Sequence, residues 1–209
     1  MKLDIKTIKL GGLTGNCYLI KTTNGFILIV TGEKTKHQKL EVELTQLGCT
    51  NKNLNLIIFT HSNSFNYSNY AFLREKYQAK IAMHIIDKAL INEKESLNIE
   101  REILKLLKMT FFVSTKNIEF KPDFIIDEGY NLSEYGLNAR VLYLPGYSNS
   151  IGILTENGEL FCDDIIEENN HQLNTINQNL NYLKKLKNLL VDIIYPRHGD
   201  PFPLQSLNI

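Results

Sequence analysis

Four places in this sequence put a group able to bind a metal or move a proton directly after a short apolar run. Thr60-His61 follows Leu56 to Phe59, and Tyr147 follows Val141 to Leu144. Asp163 and Asp164 follow Leu160 to Cys162, and His198 follows Ile193 to Tyr195. Imidazole and carboxylate groups ligate zinc and act as general acids or bases. An apolar run of this length is the mark of a buried central strand. Loops leaving the C-terminal ends of such strands are free to carry polar groups above a rigid scaffold. The cysteines add nothing to this set. Cys17, Cys49 and Cys162 are widely spaced with no CxxC pair, which argues against a disulfide framework or a Cys-based zinc site. Each sits among apolar neighbours and reads as a small buried hydrophobe.

The elements that must position these groups follow from periodicity. Leu3 to Leu10 alternates as a strand, and a turn follows at Gly11-Gly12 and Thr14-Gly15. Cys17 to Lys21 and Phe26 to Val30 form a hairpin joined at Asn24-Gly25. Leu40, Leu44 and Leu47 mark a helix stopped by Gly48. Ser68 or Asn69 caps the next helix, which carries Phe72, Leu73 and Tyr77, and Lys80 to Met83 is a strand. Ile85 to Lys108 reads as a charged helical segment. Strands return at Phe124 to Ile126, Val141 to Leu144, Ile151 to Thr155 and Leu160 to Cys162, with turns at Glu128-Gly129, Tyr135-Gly136 and Asn157-Gly158. A last helix, with Ile176, Leu180, Leu183 and Leu190 in register, feeds the strand Ile193 to Tyr195. Two groups of strands, each with its own helices, predict two sheets packed face to face with helices outside. No composition break divides the chain, so residues 1–209 are expected to form a single α/β domain.

Composition bounds the function class. Hydrophobic residues make up 43% and charged residues 22%, as in ordinary soluble proteins. Lys+Arg and Asp+Glu are 23 each, so the net charge is zero. That gives no basic field for nucleic acid or an anionic membrane. No signal peptide and no apolar stretch of about 20 residues is evident. The expected location is the cytoplasm, and the expected partner is a small-molecule ligand or another protein.

Five segments, in order, resemble the metallo-β-lactamase superfamily, including its glyoxalase II-like hydrolases. The family's THxHxDH loop appears as THSNSFN from Thr60 to Asn66. Its TPGHTPGS segment appears as LPGYSNSIG from Leu144 to Gly152, and LFTGD as LFCDD from Leu160 to Asp164. YPGHG appears as YPRHG from Tyr195 to Gly199. NCYLI with ILIDTG appears as NCYLI from Asn16 and ILIVTG ending at Gly32. The resemblance implies an αββα four-layer sandwich with the motif loops gathered in one cleft. Family members of the glyoxalase II type carry a further helical C-terminal domain, which is not expected here.

The resemblance also implies two metal ions, and the residues disagree. In the family pattern, His61, a histidine at 63, a histidine at 147 and a shared Asp164 would hold the first ion. An aspartate at 65, a histidine at 66, Asp164 and His198 would hold the second. This chain keeps His61, Asp164 and His198 but has Asn63, Phe65, Asn66 and Tyr147, and Val30 where ILIDTG has aspartate. An Asn carbonyl is a weak neutral donor, and Phe65 has no lone pair. Tyr147 would have to lose a proton of pKa about 10. Val30 removes an orienting carboxylate. The implied cofactor is therefore none, or one weakly held divalent metal, zinc before others, on His61, Asp164 and His198. Two arrangements stay open: those three converge on one ion, or Asp164 and His198 bond each other in a metal-free cleft, available as acid or base. Asp163, which replaces a glycine, is a turn residue or an added carboxylate. His84, His37 and His171 read as structural or solvent-facing.

Overall fold

The computed structural model describes residues 3–10, 15–30, 37–60, 67–84, 122–144, 150–163 and 183–207. The first sheet holds β1 (Asp4–Lys9), β2 (Asn16–Thr22), β3 (Gly25–Val30), β4 (Leu54–Phe59), β5 (Lys80–His84) and β6 (Phe124–Ile126) in that spatial order. β1 to β3 form an antiparallel meander, and β3 to β6 run parallel. The second sheet has the order β11 (Phe202–Pro203), β10 (Ile193–Tyr195), β9 (Glu159–Phe161), β8 (Ser150–Thr155) and β7 (Ala139–Leu144). Within it β9 and β10 are parallel and the other pairs antiparallel.

Three apolar cores separate four layers. Alternate residues of the first sheet point outward, so Leu19, Leu28, Ile57 and Ile81 pack with Leu40 and Leu44 of α1 (His37–Gln46) and Leu73 of α2 (Tyr67–Tyr77). The intervening residues point inward: Tyr18, Ile20, Ile29 and Ile58 meet Val141, Ile151, Ile153 and Phe161 of the second sheet. The outer face of that sheet, with Leu142, Leu154, Leu160 and Ile194, is covered by Leu183 and Leu186 of the helical residues 183–188. β2 to β4 are thus buried on both faces, which is why they read as continuous apolar runs instead of alternating ones. The result is helix, sheet, sheet, helix, the expected αββα sandwich.

Some expectations need correction. The first hairpin turns one residue early: Thr22 pairs with Gly25, leaving Thr23-Asn24 as the loop. Gly25 has φ +135, and a Cβ there would lie 2.3 Å from the Asn53 carbonyl oxygen, so glycine is demanded twice over. Ser68 and Asn69 lie inside α2 and do not cap it. Leu190 does not extend the last helix's apolar face: it has φ +58 and is 83% exposed, while Leu186 takes the buried place. β11 was not anticipated; it is a two-residue edge strand containing Pro203, a position where proline's missing donor does no harm. The Gly11 to Thr14 turn, the Ile85 to Lys108 segment, Ile176 and Leu180 lie outside the described residues.

Candidate functional site

The described ends of the motif strands meet at one edge of the sandwich. In the first sheet, Cys17 pairs with Val30 and Val30 with Phe59, so Asn16, Val30 and Thr60 share that edge. Ile151 N–H donates to the Thr60 carbonyl at 2.9 Å, bringing the start of β8 to the end of β4. Leu144 pairs with Ser150, so the segment between β7 and β8 leaves and returns here. Phe161 pairs with Tyr195 in parallel, which carries Asp163 and the Pro196–Gly199 loop past the same edge. His61, Tyr147 and Asp164 lie outside the described residues, as do Asn63, Phe65 and Asn66. Of the three expected ligands, the structure places only His198.

His198 is exposed on a loop that the first sheet grips tightly. Asn16 donates its backbone N–H to the Arg197 carbonyl at 2.7 Å. Its side-chain amide donates to the carbonyls of Pro196 at 3.0 Å and Gly199 at 2.9 Å. Tyr18 donates its hydroxyl to the Pro196 carbonyl. Beneath the loop, Tyr18, Phe161 and Tyr195 form an aromatic cluster with centroids 4.7 to 5.5 Å apart. Asn16 and Tyr18 were overlooked as positioning residues. The available signal was a polar Asn at the head of the apolar stretch CYLI, since a buried amide needs partners. Asn16→Ala is expected to cost about 1–2 kcal/mol, because its side chain donates to the buried Pro196 carbonyl, which keeps the Tyr18 hydroxyl, and to the more exposed Gly199 carbonyl. Urea unfolding would show a lower midpoint at an unchanged slope.

Charges gather around the loop in opposite-sign pairs. Arg197 Nη1 donates to Asp163 Oδ1 at 3.5 Å, with the two side chains 13% and 10% exposed. Asp163 is thus a buried carboxylate facing a guanidinium. Lys9 pairs with Asp200 at the surface. Lys9, Asn16, Arg197, His198 and Asp200 line a cavity of about 180 Å³. Farther along the edge, His84 at the end of β5 is buried, bonds Asp127 at 3.1 Å and stacks on Tyr143 at 5.2 Å. The Asp127 carboxyl is held below its ordinary range by the Glu128 backbone N–H and then by His84. His84 therefore joins the two sheets, in keeping with a structural role. Burial pushes the thiols of Cys17 and Cys49 up to about 12, so neither offers a thiolate near neutral pH.

The donor set that the motif resemblance implies does not supply two complete metal sites. Four donor positions carry Asn63, Phe65, Asn66 and Tyr147. Val30, standing where the pattern has a carboxylate, is fully buried and packs with Cys17 and Phe59 in the outer core. Among the described residues no three His, Cys, Asp or Glu side chains are grouped to hold an ion. Also among them, no helix is long and apolar enough to cross a membrane.

No protein-family model matches the sequence, and no curated protein does. Solved structures do match. The chain is similar to a metallo-beta-lactamase family protein from Thermus thermophilus at 19% identity, covering 97% of this chain and 76% of that one, with a TM-score of 0.68. It is similar to TTHA1623, solved in a di-iron-bound form, at 21% identity, covering 96% and 95%, with a TM-score of 0.65. It is also similar to BJP-1, a subclass B3 metallo-beta-lactamase of Bradyrhizobium japonicum, at 17% identity, covering 93% and 75%, with a TM-score of 0.62. Identities this low speak to architecture, and together with the four layers and the shared loop edge they establish that this chain has the metallo-β-lactamase fold.

Proposed function

We propose that this protein has lost dinuclear metal hydrolysis and acts by binding, as a non-catalytic subunit or a small-ligand binder of the cytoplasm. The observation that carries this reading is the donor set: Asn63, Phe65, Asn66 and Tyr147 stand where the fold's metal ligands would be. Hydrolysis on this scaffold draws on bound metal both to generate hydroxide near neutral pH and to polarise the scissile group. Without tight coordination, water keeps its proton far above neutral pH. The remaining groups, Asp164 and His198, offer acid–base help worth about 100- to 10,000-fold, against the roughly million-fold or more of a true enzyme. The zero net charge supports a small molecule or a protein as partner and gives no support to nucleic acid.

A second reading rests on the survivors. His61, Asp164 and His198 are three zinc-type donors, the number found in open catalytic zinc sites. If one divalent ion is held there, it supplies Lewis acidity, and the protein is a weak mononuclear hydrolase of an ester, thioester, lactone or phosphodiester. The test is a panel of thioester, β-lactam, lactone and phosphodiester substrates, assayed with and without added zinc, iron or manganese. The expected result is negligible turnover throughout. Turnover that His198→Ala abolishes would overturn the non-catalytic reading in favour of the mononuclear one.

A further inference from the structure

We infer that the Asp163–Arg197 ion pair is the tie that joins the two loops leaving β9 and β10, and so fixes the seat of His198 from within the protein; that it does so without an ion rests on the reading above. The two residues are 34 apart in sequence, the same offset that pairs Glu159 with Ile193, Leu160 with Ile194 and Phe161 with Tyr195. They are the next charged positions along one parallel ladder, just past its last paired residues. Both replace glycines of the motifs LFTGD and YPGHG, and they do so with opposite charges. Neither has a positive φ, so the backbone at these positions does not require glycine. The side chains are nine-tenths buried or close to it, which raises the strength of their attraction above that of surface pairs.

The pair sits beside each remaining donor on these loops. Asp163 directly precedes Asp164, and Arg197 directly precedes His198. In the family pattern those two donors belong to a common metal, which would link the same two loops. Here a guanidinium and a carboxylate supply the link at 3.5 Å. The link works together with the Asn16 contacts: Asn16 N–H donates to Arg197's own carbonyl, so Arg197 is held at its backbone by β2 and at its side chain by the loop after β9. Cys162 N–H, donating to the Tyr195 carbonyl at 3.2 Å, closes the ladder just below the pair.

The test is a double-mutant cycle on the full chain, purified and measured with chelator present. Asp163→Asn and Arg197→Gln are each expected to lower Tm by roughly 6–20 °C, since each removes one half of a largely buried ion pair. The double variant should fall by much less than their sum, and the exchanged pair, Asp163→Arg with Arg197→Asp, should recover part of the loss. Hydrogen exchange supplies a local readout. The amides of Asn16 and Cys162 should lose protection in the single variants, while those of β3 and β4 keep theirs. Additive losses of Tm, or loss of protection spread evenly over both sheets, would overturn the inference. If a single variant does not fold, a folded double variant supports the tie and an unfolded one opposes it. Metal content of the unmutated protein, measured without chelator, separates the two proposals: about two equivalents would end the functional reading, whereas additivity in the cycle ends only the tie.

Discussion

A variant carrying Asn63→His, Phe65→Asp, Asn66→His and Tyr147→His together is expected to bind at least about one equivalent of divalent metal where the parent binds little. The scaffold reasons favour this outcome. The two sheets and the grip of Asn16 on the His198 loop are built by described residues that the four substitutions leave unchanged. Imidazole and carboxylate at the four positions would complete the family's donor pattern with His61, Asp164 and His198. Metal gain should bring hydrolysis with it, by roughly 1,000-fold or more over the parent on a thioester or β-lactam, because a metal-bound water is deprotonated near pH 7. Elemental analysis and the same substrate panel check it. A revertant that folds, shows the parent's Tm and still takes up no metal would mean that more than the ligands has been lost; Val30, buried where an orienting carboxylate would stand, is then the next position to change.

The second large effect concerns stability. Phe161→Ala is expected to cost about 3–5 kcal/mol, or roughly 6–20 °C in Tm. Phe161 is fully buried and lies 5.3 Å from the Tyr18 ring and 4.7 Å from the Tyr195 ring. Its removal opens a cavity between the sheets, directly beneath the loop that carries His198. Aromatic pairs of this kind add to simple burial, so the loss should exceed that from a peripheral residue such as Val42, which is 53% exposed. Thermal melts of Phe161→Ala and Val42→Ala side by side would show it. Similar shifts in the two would refute the assignment of Phe161 to the inter-sheet core.

The sequence carried the layers of this fold well because both periodicity and turn chemistry pointed one way. The unbroken run Leu56 to Phe59 could only be a strand covered on both faces, and β4 is. Leu190 misled because a 3.6-residue period cannot reveal where a short helix stops; the chain leaves it after 188 and turns through a positive φ at Leu190. The hairpin at Asn24-Gly25 was found but shifted by one residue, since a glycine with positive φ serves just after a turn as well as within it. For the site, residue types showed which donors were kept and which were replaced. They could not show that Asn16 would reach 183 positions along the chain to Gly199, because long-range hydrogen bonds leave no local pattern. Asp163 and Arg197 each looked like an isolated change at a motif glycine; only the parallel register of β9 and β10 reveals them as a pair.

Whether this chain holds a dinuclear metal centre is read from the metal content of the protein purified without chelator, together with its Tm before and after chelation. Four of the donor positions carry Asn63, Phe65, Asn66 and Tyr147, and among the described residues the loop of His198 is held by the Asn16 contacts and the Asp163–Arg197 pair. The expected result is well under two equivalents of zinc, iron and manganese combined, and a chelator shift of Tm no larger than about 2 °C. Close to two equivalents per chain, with a fall of many degrees on chelation, would mean that the dinuclear centre is intact.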